Sequence, residues 1–146
     1  MKARFGTPLR ILAAAVAMSA AVAHTTLQAQ SASGSVVTLS SAERGVTVKV
    51  TPQPLAAGAA DWAFAVVLDT RSGSLDDDLV QSAVLWVDGQ EFRPVQWTGS
   101  AAGGHHREGI LRFPAPPRAP DSTEMRLQRV NEDVPRVFRW DGAELR

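Results

Sequence analysis

Apolar and polar residues alternate along several short stretches of the chain. In Val46-Thr47-Val48-Lys49-Val50-Thr51 every second residue is valine, a period of two that an extended backbone converts into one inward and one outward face. The spacing predicts a strand over 45–51. Trp62, Phe64, Val66 and Leu68 alternate with Ala63, Ala65, Val67 and Asp69, which predicts a central strand packed on both faces, with small residues on the second. Over 82–87, Trp86 falls on the face opposite Leu85 and Val87. Asp88-Gly89 then accepts the positive φ angles of a tight turn and predicts a hairpin with Glu91-Phe92-Arg93. Pro94 lacks the N–H a ladder needs, so Val95-Gln96-Trp97 is expected at a sheet edge or bend. Strands over 110–113, 124–129 and 136–140 complete the set, with Trp62 and Trp140 pointing inward.

The connections agree with this reading. Residues 52–61 are rich in Pro, Gly and Ala and cannot hold a ladder. Pro114-Ala115-Pro116-Pro117-Arg118-Ala119-Pro120 is stiff and extended, as suits a crossover between two sheets. Residues 31–38 read as an arm, with order beginning near Val36. No amphipathic pattern is longer than a turn or two of helix. About seven or eight short strands divided by turn signals predict an all-β fold, a two-layer antiparallel immunoglobulin-like β-sandwich, with a small closed barrel as the alternative.

The N-terminus changes the compartment. Lys2, Arg4 and Arg10 precede an apolar run from Ile11 to Ala23 and a small, polar stretch to Gln30, the three-part pattern of a secretory signal. The apolar run is shorter than the roughly 20 residues of a spanning helix, so no stable membrane anchor is expected. Cleavage is expected after Ala29, or after Ala23, leaving one domain over 30–146 in the periplasm or secreted. The chain has no cysteine, which removes lipid attachment at a processed cysteine, disulfides and thiolate metal sites. Loss of residues 1–29 leaves 12 basic and 15 acidic residues, a net charge of −3. That balance argues against nucleic acid as a partner and leaves an envelope or secreted protein as the expected one.

Three groups of residues bear on chemistry. Gly103-Gly104-His105-His106-Arg107 brings paired imidazoles on a glycine-rich loop, and imidazole is a ligand for copper or zinc. Neighbours in a strand point to opposite faces, so both could serve one ion only if the backbone bends. Cleavage after Ala23 would make His24 a further ligand through its imidazole and α-amine. The cluster Asp69, Asp76, Asp77, Asp78 does not match a calcium loop, and Ser74 with Asp77 reads instead as a capping box. A hydrolase could be assembled from a histidine, Asp69 and a serine, a pattern of little specificity, so no cofactor and no enzyme activity are expected. Trp86 and Trp97, with Arg107 and Arg71, are the candidate contact surface for a partner.

The stretch from Trp62 to Trp140 resembles a family of exported bacterial β-sandwich proteins and lipoproteins with no assigned activity. The resemblance rests on Trp62-x-Phe64, Leu68-Asp69-Thr70, Leu75 with Asp78-Leu79, Trp97-x-Gly99, the run Gly103-Gly104-His105-His106-Arg107-x-Gly109-x-Leu111-x-Phe113, and Arg136-Val137-Phe138-x-Trp140. It implies the same sandwich fold. The family pattern often has histidine where this chain has Arg71, so the resemblance also implies that a three-histidine metal site would be missing one ligand here.

Overall fold

The computed structural model describes residues 36–145. The expected signal segment 1–29, both cleavage points and His24 lie outside them. Nine strands and one short helix follow in the order β1 (Leu39–Glu43), β2 (Val46–Pro52), β3 (Asp61–Thr70), α1 (Leu79–Ser82), β4 (Ala83–Val87), β5 (Gln90–Phe92), β6 (Gln96–Gly99), β7 (His106–Pro114), β8 (Ser122–Leu127) and β9 (Arg136–Asp141). One sheet has the order β1-β2-β3-β7-β6 and the other β5-β4-β8-β9. Strands β2-β3-β7-β6 occupy the A-B-E-D positions of an immunoglobulin sandwich and β5-β4-β8-β9 the C′-C-F-G positions. Strand β1 is an addition beside A. The proline-rich run carries the chain from β7 in one sheet to β8 in the other, as its stiffness suggests.

The alternation survives in the burial. Val46, Val48 and Val50 of β2 face inward together with Trp62, Phe64, Val66 and Leu68 of β3, Leu85 and Val87 of β4, Leu111 and Phe113 of β7, and Phe138 and Trp140 of β9. Phe64 is the hub. Its ring lies 4.7 Å from Trp62, 5.5 Å from Phe113 in the same sheet and 6.0 Å from Trp140 across the sandwich, measured between centroids. No cysteine pair is available to join the two sheets, so this aromatic packing links them instead.

Three expectations need correction. Strand β3 lies in the middle of its sheet, but Ala63, Ala65 and Val67 are half-exposed, because the sandwich has two layers and this face looks away from the other sheet. Strand β1 was not legible. It pairs with β2 from Leu39↔Val50 to Glu43↔Val46 through a two-residue turn in which Arg44 and Gly45 both have positive φ, 48° and 75°. The capping box does not form. Ser74 Oγ donates to Asp76 (2.7 Å), while the helix is capped by Asp78, whose carboxylate accepts from the backbone N–H of Val80 and Gln81. Asp77 turns inward because a guanidinium claims it.

That guanidinium belongs to a buried ionic chain at one end of the sandwich. Arg129 donates to Asp77 through Nε (3.2 Å) and Nη2 (2.8 Å), and Asp77 also accepts from the Val130 N–H. Arg129 reaches Glu132 (3.2 Å), which in turn is held by Arg136 through Nε (3.0 Å) and Nη2 (2.6 Å). Arg136 further donates to the carbonyls of Ser41, Glu43 and Val46. It thereby fastens the added β1–β2 hairpin to the start of β9. Burial alone would penalise these charges, and the full set of partners is what offsets it.

Candidate functional site

The Gly-Gly-His-His-Arg run is built into the fold. Gly103 and Gly104 have φ of 107° and 73°, which lets the β6–β7 connection lie against the loop after β3. Gly103 N–H donates to Leu75 O (2.9 Å), Leu75 N–H to Gly104 O (3.1 Å) and Thr70 N–H to His105 O (2.8 Å). Arg107 shares the inward phase of Leu111 and Phe113 and is 3 % exposed. Its Nη1 donates to the carbonyls of Leu75 (3.0 Å) and Asp77 (2.7 Å), and its guanidinium lies 5.7 Å from the centre of the Trp97 ring. Trp97 is half-buried, donates from Nε1 to Ser100 O (3.0 Å) and lies across Gly99 and Gly109. A Cβ on either glycine would approach the indole to 3.0 or 2.8 Å. Arg107 is therefore an internal brace and not part of the contact surface expected of it, with Nη1 taken up by the loop it holds and Nε left without a hydrogen-bond partner. Trp97, beside it, keeps part of its surface exposed.

His106 begins β7 on the outer face, directly opposite Asp69 of β3. Its Nδ1 lies 2.6 Å from Asp69 Oδ1 and its Nε2 3.7 Å from Glu108 Oε2. The hydrogen bond to Asp69 is the main cause that raises its pKa above the ordinary histidine value; desolvation opposes it, and the charges of Asp69 and Glu108 add to the rise. A raised folded-state pKa means that this pair contributes stability below the unfolded value near ~6.5, a contribution lost as pH rises through the folded one. We expect the imidazole proton shifts of His106 to titrate above the ordinary histidine value in the wild-type protein and to move down towards it in Asp69→Asn. Coincident titrations in the two proteins would refute the pairing. His105 is exposed and holds the loop through its carbonyl. Arg71 is exposed beside Asp69 and Thr70 in a shallow cleft. Among the described residues no group of three or more His, Cys, Asp or Glu side chains is arranged to hold a metal ion. The aspartates considered for calcium diverge, each to a different partner.

Trp86, like Arg71, is an expected surface residue that the fold leaves at a surface. It projects from the outer face of the four-stranded sheet, half-exposed, in the row Glu91–Trp86–Glu124–Arg139. The adjacent row carries Val84, Arg126 and Val137, and Val137 is 40 % exposed. The Arg126 guanidinium stacks over the Trp86 ring at 5.5 Å. Glu124 accepts from both Arg126 and Arg139. Burial pushes the Glu124 pKa up, but the two arginines override it and hold the carboxyl below its ordinary range. Together these residues line an open concavity of about 620 Å³. Composition had drawn attention to Trp86, but the flanking arginines and glutamate come together only through strand register.

No protein family and no curated protein matches the chain. Among solved structures, the chain is similar to MPT63, a secreted protein from Mycobacterium tuberculosis, at 14% identity and a TM-score of 0.45, over 73% of this chain and 94% of that one. By its own strand order the chain belongs to the class of all-β, immunoglobulin-like sandwiches, and no helix among its described residues is long and apolar enough to cross a membrane.

Proposed function

We propose that the chain is an exported, non-enzymatic immunoglobulin-like module that binds a protein of the cell envelope or a secreted protein through the outer face of β5-β4-β8-β9. The observation that carries this reading is Trp86 on the outer face of the four-stranded sheet, beneath the Arg126 guanidinium and on the same face as Arg139 and the exposed Val137. Trp and Arg are the residues that most often dominate protein interfaces, and a sheet presents them without ordering a loop on binding. The N-terminal signal pattern supports export. The imidazole of His106 contacts two carboxylates and not a hydroxyl nucleophile, which favours a binding module over a hydrolase. The test is a photoreactive amino acid placed at Val137 or Arg139 in the producing cells, with Lys49 on the opposite sheet as control. A discrete cross-linked species from the first two positions and not from Lys49 is expected. Equal labelling at all three would end the proposal.

A second reading, copper or zinc handling, has one specific observation in its favour. Asp69 holds His106 at Nδ1, the arrangement that orients a metal-binding imidazole, and leaves Nε2 facing Glu108. Calorimetric titration with copper(II) and zinc(II) checks it. Micromolar binding that disappears in His105→Ala/His106→Ala supports metal handling, and no heat from the wild-type protein removes it.

A further inference from the structure

At the end of the sandwich away from the buried ionic chain, the 54–59 loop, the proline-rich crossover and the segment after β9 at Gly142 and Leu145 enclose a groove of about 600 Å³. Trp62 forms part of its wall and is itself 1 % exposed. Its side chains are mostly small or apolar, with Leu55, Leu145 and several alanines beside Pro54, Pro116, Pro117 and Pro120, which have no N–H to present. The Ala59 and Ala115 amides are bonded, to Ala56 O (3.1 Å) and Ala60 O (2.9 Å). Among the described lining residues Arg118 is the one charged side chain. It is well exposed, and its nearest carboxylate, Asp88, lies 3.9 Å away, a distance at which an exposed ion pair is weak and exchangeable.

We propose that this groove binds a small amphiphile with an apolar body and one anionic head, of the medium-chain carboxylate class. The apolar body replaces water against the leucine, proline and alanine side chains of the lining. The head meets Arg118 at the rim. Stiff proline walls reduce the ordering cost of binding, and the volume lies within the roughly 300–1,000 Å³ of small-molecule sites. This site is separate from the Trp86 face and does not depend on the function proposed for it.

The experiment is calorimetric titration of the mature chain with decanoate, and separately with 1-decanol, below the concentration at which either aggregates. We expect one decanoate to bind per chain. Arg118→Glu should weaken decanoate by about fivefold or more while changing decanol by less than about twofold, as loss of a solvent-screened charge contact requires. Ala57→Trp, which fills the groove from an exposed loop, should abolish binding of both. A circular-dichroism melt of each variant establishes that it is folded. The proposal is overturned if wild-type protein binds neither probe, if folded Ala57→Trp binds decanoate as well as wild type does, or if Arg118→Glu weakens both probes equally.

Discussion

Replacing Arg136 by alanine is expected to lower the free energy of unfolding by about 3–5 kcal/mol, the usual cost of breaking a buried ion pair from one side. The guanidinium side chain is fully buried, and its removal strands Glu132 at 5 % exposure with only Arg129 as a charged partner. It also leaves the carbonyls of Ser41, Glu43 and Val46 without this donor. Urea melts would measure the loss, and hydrogen exchange should place it first in β1. Arg136→Lys should recover little, because one ammonium cannot reach both the carboxylate and three carbonyls in a planar fork. The acid side of the profile should change too. The hydrogen bond from Arg136 is the main cause holding the Glu132 carboxyl below its ordinary range, against burial. A depressed carboxyl contributes stability above the unfolded value near ~4.3, and the contribution is lost as pH falls through the folded one. In Arg136→Ala most of that acid-linked component should be absent. A variant whose stability and acid profile match wild type would show that the ionic chain is dispensable.

Phe64→Ala is expected to cost a similar amount, about 3–5 kcal/mol, for a different reason: an aromatic side chain is removed from a site that cannot close over the gap. Phe64 has no exposed surface, and its ring touches aromatic rings of β3, β7 and β9. Because both sheets lean on it, the space left behind is bounded by strands tied into separate ladders. Phe64→Leu should cost less, about 1–2 kcal/mol, since most of the volume is restored. Denaturant midpoints at unchanged m-value report both. If Phe64→Ala cost under about 1 kcal/mol, the linkage of the two sheets would have to lie elsewhere.

Much of the fold was legible because most strands obey a period of two and are punctuated by residues with a fixed backbone preference. Asp88-Gly89 predicted its hairpin, with φ of 48° and 83°, and Pro94 predicted the edge position of β6. Strand β1 was hidden because Leu39-Ser40-Ser41-Ala42-Glu43 has neither alternation nor β-branched residues. What holds it is a hydrogen-bond donor from the other end of the chain. The site was less legible. Arg107 was read as part of a surface because arginine is mostly exposed. The strand phase contained the opposite signal, since Arg107 falls in step with Leu111 and Phe113, and Arg136 with Phe138 and Trp140. A charged residue on the apolar phase of a strand marks a buried pair or carbonyl cluster that sequence spacing cannot locate, because the partners, Asp77 and Glu132 among them, come from other loops.

The fastening of β1 has a kinetic corollary. Arg136 reaches the first hairpin across 90 to 95 positions of chain, and the Trp140 indole bonds the Val37 carbonyl across 103. Contacts of such span close late and slowly, so until β9 is in place the first strand is held by its ladder with β2 and lacks this brace.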